Sequence, residues 1–191
     1  MTVTWLLRYK RNSMMPHSAI VHLRQILTPP PDGGDLVDWE ALARSGVPEF
    51  PSDYREFVEV YGGGEIDEYF AINTPPISGS PYGELLDGLN STLADADRDE
   101  LAEQIDGTEV PQVLPFGSTI NGDVAFWLRR GNPDAWRVVV FTRQVSHGTS
   151  RWSVFEGGMV EFCVAFLTGE VDPFSEASVS EAPHDFSSWK R

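Results

Sequence analysis

Pro51-Ser52-Asp53-Tyr54-Arg55-Glu56-Phe57-Val58-Glu59-Val60-Tyr61-Gly62-Gly63-Gly64 is the stretch from which the fold is read. Tyr54, Phe57, Val58 and Tyr61 fall at i, i+3, i+4 and i+7, the spacing of one buried helical stripe, while Arg55 and Glu59 are spaced to pair on the wet face. The three glycines end the helix and permit left-handed backbone and the close approach of another chain. Glu65 to Ile72 then reads as a strand. Alternation puts Glu65 and Asp67 on one face opposite Ile66, which reads as a half-exposed strand, and beside the glycine loop that face is also a candidate docking edge.

Upstream, Asp38 is a good N-cap for a short helix over Trp39–Arg44 that stops before Gly46. Residues 1–31 hold Arg8, Lys10, Arg11 and Arg24 and no acid, which leaves ten bases against twenty-nine acids, a net of −19, in the rest of the chain. This basic stretch is read as an extension, possible start sites being Met1 and Met14 or Met15. Thr28-Pro29-Pro30-Pro31-Asp32-Gly33-Gly34 reads as a linker.

Downstream, Ser91 caps a weakly amphipathic helix ending near Ile105, and residues 87–109 carry eight acids against one base, Arg98, a strongly negative face. Strands follow at Val113–Phe116, at Val124–Arg129 after the Asn121-Gly122 turn, at Val138–Phe141 and at Trp152–Phe155, mostly antiparallel. Met159, Phe162, Cys163, Phe166 and Leu167 form the stripe of a last helix. Helices at the two ends with strands between them predict a single α+β domain, a mostly antiparallel sheet with helices packed on it. The expected boundaries are 1–31 for the extension, 32–171 for the domain and 172–191 for a loose Ser-rich tail.

The 191 residues, 41% hydrophobic and 23% charged, suit one folded domain. A net charge of −15 repels phosphate backbones and acidic lipids, which argues against nucleic-acid and membrane-surface partners and favours a basic one. No stretch reaches the roughly 20 apolar residues of a membrane helix. A single cysteine, Cys163, excludes a disulfide framework within the chain and CxxC motifs, and the expected compartment is the cytoplasm.

Motifs with a defined mechanism are missing. There is no Gly-Lys pair for a P-loop and no GxGxxG, so no cofactor is expected. His17, His22, His147 and His184 are scattered, which rules out HExxH-type zinc binding, and His147 reads as a turn residue. Cys163 lies in an apolar stripe, the wrong setting for a thiolate. Asp95-Ala96-Asp97-Arg98-Asp99 resembles the start of a calcium loop, but Glu100 stands where glycine is needed, so a solvated helix face is expected and no metal. A hydrolase built on scattered carboxylates such as Glu65, Asp67 and Glu68 would need a buried acid with a raised pKa in a pocket.

The helix 51–64 with its following strand, the block Val113-Leu114-Pro115-Phe116-Gly117 with Gly122-Asp123 and Phe126-Trp127, and Trp152-Ser153-Val154-Phe155 with Gly157-Gly158 and Phe162 resemble, in order and spacing, the SUKH superfamily over residues 38–170. Its members include bacterial immunity proteins against polymorphic toxins and fungal regulators of cell-wall synthesis. The resemblance implies an α+β domain without catalytic residues that binds a nuclease- or deaminase-type toxin domain stoichiometrically; the alternative is a regulatory scaffold similar to the fungal branch. Partner surfaces vary within the superfamily, so the candidates here come from charge and position: Gly62, Gly63, Gly64, Glu65, Asp67 and Glu68 as a first surface, and Asp95, Asp97 and Asp99 as a second. The expected partner is a basic toxin domain, met by a monomer.

Overall fold

Val124-Ala125-Phe126-Trp127-Leu128 is apolar at every position, and all five residues are buried, as a strand covered on both faces must be. It is β4 (Val124–Leu128) of a computed structural model that describes residues 17–44, 49–75, 98–105, 110–174 and 183–190. The other strands are β1 (Gly64–Ile66), β2 (Phe70–Ile72), β3 (Val113–Thr119), β5 (Arg137–Phe141), β6 (Trp152–Phe155) and β7 (Phe186–Ser188). They form one seven-stranded sheet in the order β6-β5-β4-β3-β2-β1-β7. Every strand pairing is antiparallel, and Pro115, which has no N–H to give the ladder, sits at a register shift in β3.

The described helices are α1 (Ser18–Ile26), α2 (Trp39–Arg44), α3 (Ser52–Val60), α4 (Arg98–Gln104) and α5 (Met159–Leu167). Alternation along the strands sorts the core into two layers. Leu114, Phe116, Ala125, Trp127, Val138 and Val140 share one cluster with the buried faces of α1, α3 and α5. Val124, Phe126, Leu128, Val139 and Phe141 point the other way and cluster with Trp152, Leu101 and Ile105. The fold is the α+β domain expected from the sequence.

α3 buries its predicted stripe completely, with Tyr54, Phe57, Val58 and Tyr61 all at 0% exposure. The two hydroxyls donate to backbone carbonyls, Tyr54 to Asn73 at 2.8 Å and Tyr61 to Leu27 at 2.7 Å, so neither is stranded in the core. Arg55 does not turn to Glu59. Its Nε donates to the Phe50 carbonyl, it pairs with Glu49, and it lies over the Trp39 ring, a more enclosed seat than an i, i+4 pair offers. Asp38 caps α2 as predicted, accepting from the Ala41 N–H.

Four expectations are corrected. Residues 17–27 are not an extension but part of the domain: Ile20, Leu23 and Leu27 are buried in the main cluster, because α1 lies on α5 and covers its apolar surface. Pro29 to Gly34 is a packed connection whose end lies against α3, with the Asp35 N–H donating to the Val58 carbonyl. Residues 183–190 are not loose. They return as β7, with Phe186 packed on Phe57 and Tyr61 and the Lys190 amine on the Gly34 carbonyl. The stretch 65–72 is a hairpin and not one strand, since the chain turns at Asp67 and Glu68.

Leu23 is fully buried in the core, so Leu23→Ala is expected to lower unfolding free energy by about 3 kcal/mol in urea titrations. A change near zero would show that α1 is a dispensable extension.

Candidate protein-binding surface

Gly62 closes α3 with φ +75, a conformation that disfavours any side chain, and its N–H donates to the Val58 carbonyl. The turn sends the Gly63 N–H to the buried Asp35 carboxylate at 3.0 Å. At Gly64 a Cβ would come within 2.5 Å of both the Phe186 ring and the Ser187 carbonyl. The glycines do admit a closely approaching strand, but that strand is the chain's own β7. Gly62, Gly63 and Gly64 are therefore buried, and the predicted docking edge along β1 is occupied on both sides, by β2 and by β7.

Of the three acids that follow, Glu65 is half-buried on β1, Asp67 is drawn inward and Glu68 is exposed. Asp67 and Glu68 both hold positive φ, 51° and 53°, and the Tyr69 N–H closes the turn on the Ile66 carbonyl. The Asp67 side chain is only 9% exposed and clamps the returning tail: Oδ2 lies 2.7 Å from His184 Nδ1 and Oδ1 accepts from the Asp185 N–H. His184 Nε2 reaches the Leu167 carbonyl at 3.0 Å and its backbone N–H donates to Ile26, so one buried histidine joins the hairpin turn to the ends of α1 and α5. Reading the sequence placed His184 in a loose tail; no pattern in the residues linked it to Asp67, 117 positions earlier.

The turn and β7 enclose a notch of about 410 Å³ lined by Asp67, Glu68, Asp185, Phe186 and Ser187. Two exposed carboxylates, Glu68 and Asp185, stand at it and give it a negative mouth. Glu68→Gly relieves positive φ at an exposed position and is expected to raise stability by about 0.5–1 kcal/mol. Asp67→Ala removes the clamp and is expected to lower it by about 2 kcal/mol, both read from chemical denaturation.

The second predicted surface is described only in part. Asp95 and Asp97 lie outside the described residues, and Asp99 is exposed on α4. The inner side of this acidic helix is structural, since Leu101 and Ile105 bury on the back of the sheet and Glu100 accepts from the Arg151 N–H.

Among the described residues, Cys163 and Asp53 are two groups with catalytic potential that are engaged elsewhere. Burial pushes the Cys163 thiol far up, so it stays protonated in the core. Asp53 is a buried acid whose pKa is raised by desolvation, with backbone hydrogen bonds opposing the shift, and it lines a cleft of about 200 Å³. Both of its oxygens already accept backbone N–H bonds: Oδ1 from Tyr54 at 2.7 Å and Oδ2 from Val160 at 3.0 Å. Val160 is the second residue of α5, whose N-cap is Gly158, a residue with no side chain to satisfy that donor. Asp53 thus caps α5 from another helix, while Glu161 accepts from the Gly158 N–H. Sequence reading missed this role because the partners are 107 residues apart.

A raised folded-state pKa means the folded chain binds its proton more tightly than the unfolded one, so the carboxyl's contribution to stability falls as pH rises from about 4. Asp53→Asn keeps an acceptor for Val160 and removes the titration. The wild type is therefore expected to lose stability relative to this variant between about pH 4 and pH 7, measured by urea unfolding at each pH.

Among the described residues no group of three His, Cys, Asp or Glu side chains is placed to hold a metal ion, and no helix is long and apolar enough to cross a membrane. A seven-stranded antiparallel sheet carrying α1, α3 and α5 on one face defines an α+β domain of the SUKH-like class. The family model described as SMI1-KNR4 cell-wall, SUKH_6, matches residues 47–156, and the chain belongs to that family. Its members are generally non-catalytic and are often immunity proteins. No curated protein and no solved structure matches the chain. The family match runs from just before α3 to just after β6, so α1, α2, α5 and β7 lie outside it although they complete its core.

Proposed function

We propose that this chain is a non-catalytic, cytoplasmic immunity protein that binds a basic toxin domain of nuclease or deaminase type and blocks it one to one. The observation that carries this reading is membership of the SMI1-KNR4 family in a chain of net charge −15. An enzyme acting on nucleic acid must present basic residues to phosphates, and an acidic protein can cover them with fast, salt-sensitive association. Glu68 and Asp185 at the notch and Asp99 on α4 supply exposed carboxylates for such a surface. The commitment of Asp53 to helix capping and of Cys163 to the core supports a role without catalysis.

The test is a pull-down from the source cells with the full chain as bait at low and high salt, followed by expression of the retained protein alone. The expected result is a basic domain retained stoichiometrically, lost at high salt, and toxic unless this chain is co-expressed. Glu68→Lys with Asp185→Lys is expected to slow association about tenfold or more. A retained partner that keeps full activity in the complex would overturn the immunity reading in favour of a regulatory scaffold.

A further inference from the structure

α1 and α5 lie side by side, and the space between them is an open groove of about 520 Å³. Its apolar lining is Ala19 of α1, Val164 and Ala165 of α5 and Phe155 at the end of β6, with Ser18 beside them. Its rim is acidic, with Glu156, Glu161 and Glu170 against a single basic side chain, His22. Glu156 pairs with Arg137 yet its side chain stays 72% exposed, and Glu161 and Glu170 are exposed. An apolar floor inside a charged rim is the anatomy of a protein interface, and the volume falls within the roughly 300–1,000 Å³ of binding pockets.

We infer that this groove docks a partner helix whose apolar stripe is flanked by Lys and Arg. The occupant's charge follows from the carboxylates of the rim, Glu170 and Glu161, which keeps an exposed carboxylate while accepting the Gly158 N–H, with Glu156 shared with Arg137. Its secondary structure follows from the walls: most of the groove is helix, whose backbone hydrogen bonds are internal, and only the end of the edge strand β6 reaches it, so an extended peptide would pair over a residue or two at most, whereas a helix brings its own satisfied backbone and offers side-chain ridges to the groove. The acid-rimmed notch at Asp67 and Glu68 offers a single apolar side chain, Phe186. Apart from Phe155 and Glu156, the lining residues named here lie outside the matched segment 47–156, so the groove is built mainly from what this chain adds to the family core. The inference deepens the proposed function, on which it rests, by adding to the notch acids a second surface and by naming the element of the basic partner that meets it.

The test uses the isotope-labelled full chain and three synthetic helical peptides of about four turns. One carries Leu at i, i+4, i+7 and i+11 with Lys elsewhere, one replaces Lys by Glu, and one replaces Leu by Gln. The Lys/Leu peptide is expected to move the amide signals of His22, Val164 and Ala165, with affinity falling about tenfold from about 50 to about 300 mM salt. His22→Trp, which fills an exposed position of the groove, and Glu156→Lys with Glu170→Lys are each expected to weaken it at least tenfold. Equal binding of the Glu/Leu or Lys/Gln peptide, or shifts confined to the notch, would overturn the groove. So would a dimer in sedimentation that His22→Trp dissociates, or signals of residues 1–16 moving with those of the groove when His22→Trp is introduced, since a second copy or the chain's own N-terminal segment would then be the occupant. The same variants serve as baits in the pull-down. Capture undiminished by them overturns the groove alone, whereas no capture by the wild type overturns the reading on which it rests.

Discussion

The Asp53 carboxylate, held in the core between the Tyr54 and Val160 N–H groups, is the contact on which the arrangement of helices depends. α5 begins at a glycine that cannot cap it, and a buried helix start with unsatisfied donors would cost about 1–3 kcal/mol for each orphaned group. Asp53 supplies the missing acceptor from the first turn of α3 and so ties the two helices together at one end. Gly158 is small because the carboxylate needs its space: a Cβ there would come within 2.7 Å of Asp53 Oδ2. With α3 and α5 joined, α1 lies along α5 and the acid-rimmed groove between them follows.

His184 does at the opposite end what Asp53 does here. It brings together the Asp67 turn, the end of α5 and the end of α1, and carries β7 onto β1. The family-matched segment is thus closed by its flanking chain at both ends. This changes the sense of the glycine loop, whose small residues make room for β7 and leave Glu68 and Asp185 outward as the acids of the notch.

Much of the fold was legible because local physics dictates it. Tyr54, Phe57, Val58 and Tyr61 announce a helical stripe by spacing alone, and the apolar run from Val124 announces a strand, whose burial on both faces the structure adds. The candidate site was legible only in part. Glu65, Asp67 and Glu68 were singled out by charge beside the glycines, yet nothing in their order showed that Asp67 would turn inward to a histidine 117 residues away while Glu68 stayed in solvent. The groove was invisible for the same reason, since Ala19, Phe155 and Val164 become neighbours only when α1 packs on α5.

By itself the sequence determined the α+β class, the stripes of α3 and α5 and the strands β3 to β6, the acidic character and the family resemblance, because periodicity, turn residues and charge act over a few positions of chain. Only the tertiary structure decided that residues 17–27 and 183–190 belong to the domain, that β1 is not an edge, and which carboxylates face water. These depend on contacts between residues distant in the chain, such as Asp53 with Val160 and Asp67 with His184. Their free energy arises from burial that no local pattern encodes.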